Sequence, residues 1–197
     1  MIDKDKSIQT VSKVFERGSN FSCKNKEDFN KCIDHIFQLI TDAYTMYTHG
    51  SFSTSLFLSI AVIEEVAKVH VGMFIDPANE QVKKDGLLDH KTKEIIGVNY
   101  TISMGERINA VIASDELEKI YSLAYTGELK NMREEAIYCE YKGGKIITPN
   151  DIIDRYFAKK MLLFAIESFD DNLVGYTRHS MHISKKTDAI FDELARL

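Results

Sequence analysis

Apolar residues recur at helical spacing along much of the chain, and this pattern predicts two long helices in its first half. From about Lys26, apolar side chains three and four residues apart form a single stripe that ends at Gly50. The next segment, from about Phe52 to Phe74, is apolar on nearly all sides in its first half. Such a helix is usually covered by neighbours on several sides, so we predict that it is the central one.

The middle of the chain carries shorter patterns. After a loop marked by Pro77, residues Asp89–Ile96 predict a short helix, and residues 98–112 mix helical and strand signals. A further helix is predicted from Asp115 to Gly127, because apolar residues again recur there at helical spacing. This part of the chain is therefore predicted to be helical only in short segments.

The clearest strand signal is a two-strand hairpin. Ile137–Lys142 and Lys145–Ile147 are separated by Gly143 and Gly144, and glycine suits the left-handed positions of a two-residue hairpin turn. A small β-hairpin is therefore expected within a chain that is otherwise helical.

A long helix is predicted directly after the hairpin. Thr148 suits a helix N-cap and Pro149 suits the first helical position, and apolar residues continue at helical spacing to about Val174. A short amphipathic helix should follow near the C-terminus.

These elements predict a mainly α protein, an antiparallel helical bundle with one small β-hairpin. We predict a loosely attached lead-in at residues 1–25, a bundle domain at residues 26–180 and a short C-terminal helix at residues 181–197. The length of 197 residues fits a single domain of this kind.

Charge narrows the classes of partner. The formal net charge of −5 argues against a protein that coats nucleic acid through general electrostatics, although it leaves room for a local cationic pocket. The densest basic stretch contains Lys83, Lys84, His90, Lys91 and Lys93, and a phosphate contact would begin there.

Cysteine usage and hydropathy favour the cytoplasm. Cys23, Cys32 and Cys139 are an odd number without metal-type spacing, so they are expected to be free thiols in a reducing compartment. Residues 1–6 are too polar for a secretory signal, and the apolar run Leu56–Ile63 is too short to span a bilayer. We therefore expect a cytoplasmic protein without a membrane segment.

Charged residues inside the most apolar helix are the first candidates for a site. Glu64 and Lys68 are four residues apart and can pair on one helix face, and Glu65 lies three residues before Lys68. The alternative is an ordinary surface ion pair. Because an unpaired charge is costly in an apolar helix, a buried or interfacial polar cluster is favoured here.

His90 is the best candidate general acid or base, because an imidazole can exchange protons near neutral pH. Lys91 and Lys93 beside it could hold a phosphate, and the alternative is a solvated basic helix end. Arg133 could clamp a phosphate or carboxylate, or could instead pair with a glutamate and fix the hairpin to the bundle. Tyr138 is either a neighbouring donor or part of the packing of the hairpin.

No cofactor or metal site is predicted. The histidines are not spaced as ligands, and neither glutamate of the central helix is followed by histidine three residues on, as a di-iron bundle requires. Zinc, P-loop and dinucleotide motifs are also missing from the sequence.

Several motifs occur in an order that resembles one protein family. Ala43–Lys68, which reads AYTMYTHGSFSTSLFLSIAVIEEVAK, resembles the helix pair of the AbiV abortive-infection family, which ends in Glu-Glu-x-x-Lys. Asp89–Lys93 resembles the His-Lys-x-Lys segment of that family. Arg133 followed by Ala136–Glu140 resembles its arginine with an apolar-Tyr-Val-Asp stretch, and Pro149 opens a last long helix.

The resemblance implies a HEPN-like four-helix core, often a homodimer with its site at the interface, and a role in phage defence. Many HEPN proteins are metal-independent ribonucleases or toxins. The implied effector blocks phage propagation by cleaving RNA or by inhibiting translation. If it cleaves RNA, His90 would move the proton and Arg133, with Lys68 or Lys93, would stabilise the phosphorane charge. Glu64 or Glu65 would orient these groups. The candidate catalytic residues are therefore Glu64, Glu65, Lys68, His90, Lys93 and Arg133.

The chain also departs from the HEPN ribonuclease pattern. That pattern is arginine, four to six residues and then histidine, whereas Arg178 and His179 are adjacent here, and Cys139-Glu140 replaces Val-Asp. Together with the acidic net charge, this departure favours an alternative, a non-catalytic binding module that captures a phage or translation-associated protein. A regulatory dimer is a third hypothesis.

Overall fold

The computed structural model describes residues 4–76, 82, 85–99 and 106–197 and confirms a mainly α fold with one small antiparallel hairpin. The elements, in chain order, are α1 (Lys4–Arg17), α2 (Lys26–Thr48), α3 (Phe52–Gly72), α4 (His90–Asn99), α5 (Glu106–Asn109), α6 (Ser114–Thr126), α7 (Glu128–Glu135), β1 (Glu140–Lys142), β2 (Lys145–Ile147), α8 (Pro149–Ile152), α9 (Arg155–Leu173) and α10 (Arg178–Arg196). None of the described helices is long and apolar enough to cross a membrane.

Helix α3 lies at the centre of the fold, as its apolar sequence predicts. It packs against α2 and α9 on two sides and against α4 on a third. Helix α9 is also largely buried, and its Phe164 packs edge-on against Tyr121 of α6 with ring centroids 5.8 Å apart. Apolar side chains from the neighbouring helices therefore surround α3, and any polar group on it must find a partner inside the protein.

Helix α4 approaches α3 closely because Gly97 has no side chain. A Cβ atom at this position would lie 2.4 Å from the carbonyl oxygen of Ile63, closer than real contacts allow. On the α9 side, the hydroxyl of Ser168 donates a hydrogen bond of 2.8 Å to the carbonyl oxygen of Gly97. The missing side chain of Gly97 and the hydrogen bond from Ser168 hold α4 against α3 and α9.

Replacing Gly97 by alanine is expected to lower the free energy of unfolding by about 1–3 kcal/mol, the usual cost of forcing an extra methyl group into a packed core. This loss should exceed the gain in helix propensity, because the obstructing atom belongs to the backbone of α3. Urea denaturation measures the effect, with Ser122→Ala on the exposed face of α6 as the control. Equal stability of the two variants would show that α4 can move away without cost.

The hairpin is confirmed, with a shorter first strand than predicted. Glu140 pairs with Ile147 and Lys142 with Lys145, across a turn in which Gly143 and Gly144 both have positive φ angles. Strand β1 begins at Glu140 rather than at residue 137, because the amides of residues 137 and 138 donate to the carbonyl of Glu134 and extend the end of α7.

The prediction of one continuous helix after the hairpin is wrong. Ile153 is extended, with φ −91° and ψ 113°, and separates α8 from α9. Asp154 then caps α9, since its carboxylate accepts a hydrogen bond of 2.8 Å from the amide of Phe157. The C-terminal helix is also longer than predicted, because Thr177 and Ser180 cap each other and start α10 at Arg178.

The segment predicted as a lead-in contains α1, which packs against α4. Val14 of α1 is 1% exposed and belongs to a second, smaller apolar cluster. The other buried members of that cluster are Ala67, Val71, Ile75, Leu87 and Ile96. The short helices α5 and α7 were not predicted, and both contribute an arginine to the polar clusters described below.

Candidate functional site

A buried carboxylate on the central helix gathers three basic side chains. Glu64 of α3 is 4% exposed, and its Oε2 lies 2.7 Å from Nδ1 of His90 and 3.1 Å from Nζ of Lys93. On the other side, Oε1 of Glu64 lies 3.7 Å from Nε of Arg133. Together with Glu94, described below, these residues form what we call the Glu64 cluster. The sequence therefore identified four residues that the fold brings together.

The start of α4 positions the imidazole and the ammonium. The carboxylate of Asp89 accepts hydrogen bonds of 2.8 Å from the amide and from the hydroxyl of Thr92, and these bonds fix the first turn. His90 and Lys93 are three residues apart and so share one face of the helix. That face is turned toward α3, where both side chains reach the same oxygen of Glu64.

Arg133 comes from the last turn of α7 and is held by an aromatic ring. The guanidinium carbon lies 4.8 Å from the ring centroid of Phe57, a cation–π contact that keeps the side chain against α3. The separation of 3.7 Å between Arg133 Nε and Glu64 Oε1 is an ion pair but exceeds a good hydrogen bond. Both atoms are buried, and neither has a hydrogen-bond partner among the described residues, so this long ion pair is what compensates them.

Exposure differs within the cluster. The side chains of Glu64 and Lys93 are 5% and 9% exposed, whereas those of His90 and Arg133 are 35% and 24% exposed. The buried pair can hold the other two groups in place, and the imidazole and guanidinium can reach a molecule that arrives from solvent.

Glu94 completes the cluster and was missed in the sequence. It is fully buried on α4, and neither of its carboxylate oxygens has a hydrogen-bond partner among the described residues. Burial, together with the negative charge of Glu64, raises the pKa of Glu94 to about 7, although the charge of Arg133 lowers it. The available signal was its position beside two isoleucines, Gly97 and a valine, a stretch too apolar for a solvated carboxylate.

Glu65 and Lys68 pair with each other, so of the two pairings that the spacing allows, Lys68 forms the one with Glu65 and not the one with Glu64. Nζ of Lys68 lies 3.2 Å from both carboxylate oxygens of Glu65 and stacks over the ring of Phe21 at 4.7 Å. Glu64 instead turns toward α4 and α7, where the imidazole of His90, the ammonium of Lys93 and the guanidinium of Arg133 surround it. In the described part of the chain, no ion pair or side-chain hydrogen bond joins Glu65 or Lys68 to the Glu64 cluster.

The two predicted binding residues lie elsewhere. Nζ of Lys91 donates a hydrogen bond of 3.0 Å to the carbonyl oxygen of Thr126, at the end of α6. Tyr138 is 66% exposed beside the hairpin, on a surface where three glutamates accompany it. Lys83 and Lys84 of the basic stretch lie outside the described residues.

A second polar cluster joins α5, α9 and α10 around Arg107. Its guanidinium binds Glu167 at 2.8 Å, pairs with Asp188 and lies over the ring of Phe191 at 4.2 Å. Burial would lower the pKa of Arg107, but the hydrogen bonds to Asp188 and Glu167 raise it overall. Asp171 lies on the same helix as Glu167, and burial raises the pKa of its carboxyl group to about 7. The charged side chains of this Arg107 cluster connect α5, α9 and α10, and the cluster was not predicted from the sequence.

The described residues contain no group of three or more histidine, cysteine or acidic side chains that could hold a metal ion. The Glu64 cluster itself consists of an imidazole, a guanidinium, an ammonium and two carboxylates.

Comparison with known proteins adds one finding. A family model described as AbiV, of the HEPN type, matches residues 26–169, which include every residue of the Glu64 cluster. No curated protein and no solved structure gives a significant match. Because the matched region covers well over half of the sequence and contains the central helices, the chain belongs to the AbiV family of HEPN proteins.

Proposed function

We propose that this protein is an abortive-infection effector that blocks phage propagation by cleaving RNA, without a metal ion, at the Glu64 cluster. The observation that carries the proposal is the contact between Glu64 and His90. A buried carboxylate that holds an accessible imidazole is the arrangement with which enzymes orient a general base. Membership of the AbiV family supports the biological role.

The geometry supports a specific role for each group of the Glu64 cluster. Because Oε2 of Glu64 accepts from Nδ1 of His90, the neutral imidazole carries its hydrogen on Nδ1 and leaves Nε2 unprotonated. Nε2 would take the proton of a ribose 2′-hydroxyl while the 2′ oxygen bonds to phosphorus. The bond from phosphorus to the 5′ oxygen then breaks, and the imidazolium returns the proton to that oxygen. The products are a 2′,3′-cyclic phosphate and a 5′-hydroxyl.

Arg133 is the group that would stabilise the charge of the phosphorane, because its side chain is 24% exposed and carries a permanent positive charge. Lys93 is buried against Glu64 and would act as a positioning residue. Lys68 and Glu65 have no place in this mechanism, since they form their own pair.

We also propose that the protein is a homodimer with the site near its interface, as the family resemblance implies. The partial exposure of His90 and Arg133 fits a second subunit or an RNA strand approaching from the same side. Analytical ultracentrifugation of the full chain tests it, because a monomer at micromolar concentration would contradict the dimer.

One observation favours a second candidate, a non-catalytic module that captures a phage or translation-associated protein. Glu64 and Lys93 are so deeply buried that their ion pair can be explained by stability alone. The two candidates differ in whether RNA is broken when the protein acts.

Substituting His90 with alanine is expected to reduce RNA cleavage about 100-fold or more, because general acid–base catalysis contributes that much. Wild type and variant would be expressed in a phage-sensitive host, with plaque numbers and total RNA integrity scored together. His179→Ala is the matched control, since this histidine of α10 is not part of the Glu64 cluster but also contacts one carboxylate, that of Asp34 on α2, at 2.6 Å.

Protection with RNA breakdown, both lost in His90→Ala and kept in His179→Ala, would support the ribonuclease. Protection with intact RNA would favour the binding module. Undiminished cleavage by a folded His90→Ala variant would rule out the mechanism.

A further inference from the structure

A cationic cleft lies between α1 and the start of α4, outside the Glu64 cluster. It has a volume of about 330 Å³ and is lined by the basic side chains of Lys6, Lys13, Arg17 and Lys91, with Asp89 as the single carboxylate among the described lining residues. Four positive charges and one negative charge leave a local excess of three positive charges, in a chain whose formal net charge is −5. We call this feature the α1–α4 cleft.

The single carboxylate does not neutralise the α1–α4 cleft, because it is already engaged. Asp89 accepts hydrogen bonds of 2.8 Å from the amide and from the hydroxyl of Thr92, which direct it to the first turn of α4. Its position at the N-terminus of a helix is where a carboxylate is stabilised by the backbone amides. The lysines and the arginine of the cleft therefore have no carboxylate of their own among the described residues.

Two of the lysines are held in place by the end of α6. Nζ of Lys6 donates to the carbonyl oxygen of Tyr125 at 2.9 Å, and Nζ of Lys91 donates to that of Thr126 at 3.0 Å. An ammonium group has three donors, so each lysine keeps two for another acceptor. Because these side chains are already ordered, an anion that binds them loses less entropy than it would on free lysines.

The other two cations stand close together without compensation. Lys13 and Arg17 are four residues apart on α1, where like charges face each other and repel. Lys6 lies on the same face, seven residues before Lys13. Within the described ranges, neither Lys13 nor Arg17 takes part in an ion pair or a side-chain hydrogen bond. A stripe of repelling cations that faces a cleft is explained if an anion occupies that cleft.

We propose that the α1–α4 cleft binds a chain of phosphate groups, such as the one carried by a nucleoside triphosphate. The cations are distributed over about three turns of α1, a spread that suits several linked phosphates better than one. The volume is that of a small-molecule site. Helix α1 precedes the family-matched residues 26–169, so this cleft is built from a helix that the family match does not include.

Occupation of the α1–α4 cleft would act on the start of α4. Lys91 follows His90 directly in the first turn, and a ligand held by Lys91 and by α1 would fix that turn against the bundle. The binding itself does not depend on the proposed ribonuclease activity, because none of the four cations belongs to the Glu64 cluster.

Isothermal titration of the full chain, at low salt and with a chelator present, tests the binding with inorganic tripolyphosphate and with ATP as probes. The variant is Lys13→Gln with Arg17→Gln, two exposed positions that are not expected to affect folding. The control is Lys142→Gln with Lys145→Gln on the exposed hairpin, which removes the same charge elsewhere. We expect the dissociation constant for tripolyphosphate to rise at least about tenfold in the first variant and to change little in the control.

Tighter binding of ATP than of tripolyphosphate would support the site and add a contact to the nucleoside, and equal binding would support recognition of the phosphate chain alone. An equal loss in both double variants would overturn the proposal, since it would show general charge attraction. Failure of both probes to bind would also overturn it, including the case in which a single-stranded RNA oligonucleotide binds through Lys13 and Arg17 instead.

Discussion

Replacing Arg107 with alanine is expected to lower the free energy of unfolding by about 3–5 kcal/mol near neutral pH, the usual loss when one partner of a buried ion pair is removed. The guanidinium joins α5 to Glu167 of α9 and Asp188 of α10, and it covers the ring of Phe191. Glu167 is 2% exposed, so without Arg107 its charge would stay in an apolar environment. The pKa of Glu167 is already raised by burial, and losing the arginine would raise it more.

The sign of the pH dependence follows from that raised pKa. A buried carboxyl group with a raised pKa favours the folded state when it is protonated, and this contribution is lost as the pH rises through the folded pKa. The loss of stability caused by Arg107→Ala should therefore be largest at neutral and alkaline pH and smaller in mild acid. Urea denaturation at several pH values measures it.

Lys119→Ala is the control for this experiment. Its ammonium also pairs with a carboxylate, Glu116 at 2.7 Å, but the side chain is 63% exposed. Exposed pairs contribute little, so this variant should be close to wild type in stability. If the two variants lost equally little stability, the ion pairs of Arg107 would not be what holds α5, α9 and α10 together.

The sequence predicts the elements whose signals are local and strong. The central position of α3 was predicted from its apolar sequence, and the hairpin was predicted from Gly143 and Gly144. The break at Ile153 could not be read from periodicity, because apolar spacing continues through it while the cap at Asp154 competes with the longer helix. Short helices such as α7 carry too few residues for a periodic signal.

The candidate site was predicted in part for similar reasons. Glu64 stood out as a charge inside an apolar helix, and its three basic partners came from the family motifs. The partner of Lys68 could not be predicted, since spacings of three and four residues are both allowed on a helix. The tertiary packing decides between them, because Glu64 is turned toward α4 and Lys68 pairs with Glu65. Glu94 was missed because only the close approach of α4 to α3 makes its position buried.

Glu94→Gln is expected to remove a pH dependence of stability that this carboxyl group imposes on the wild type. Burial raises the pKa of Glu94 from 4.5 to about 7. Its contribution to stability is therefore fully present below the unfolded value, falls as the pH rises, and is lost above about 7. A tenfold difference in proton affinity between the folded and unfolded states corresponds to about 1.4 kcal/mol, so the wild type should lose roughly 2–3 kcal/mol over this window through Glu94 alone.

The measurement is the difference in unfolding free energy between wild type and Glu94→Gln, followed by urea denaturation from mild acid to about pH 8. A glutamine amide left without partners in the core adds a cost that does not vary with pH, so the change in the difference matters rather than its absolute value. The free energy of unfolding of the variant, relative to that of the wild type, should increase by about 2 kcal/mol as the pH rises through this range. Glu118→Gln, on the exposed face of α6, is the control and should show no such trend.

The same variant also addresses why a carboxyl group lies at this position. A buried acid that costs stability at neutral pH, beside Glu64 and Arg133, is hard to explain by packing, and such costs are typical of functional sites. RNA cleavage or phage protection should therefore fall in Glu94→Gln even where the variant is the more stable protein at pH 8 or so. A variant that gains stability and keeps full activity would show that Glu94 only perturbs the fold, and that the functional part of the cluster is confined to Glu64, His90, Lys93 and Arg133.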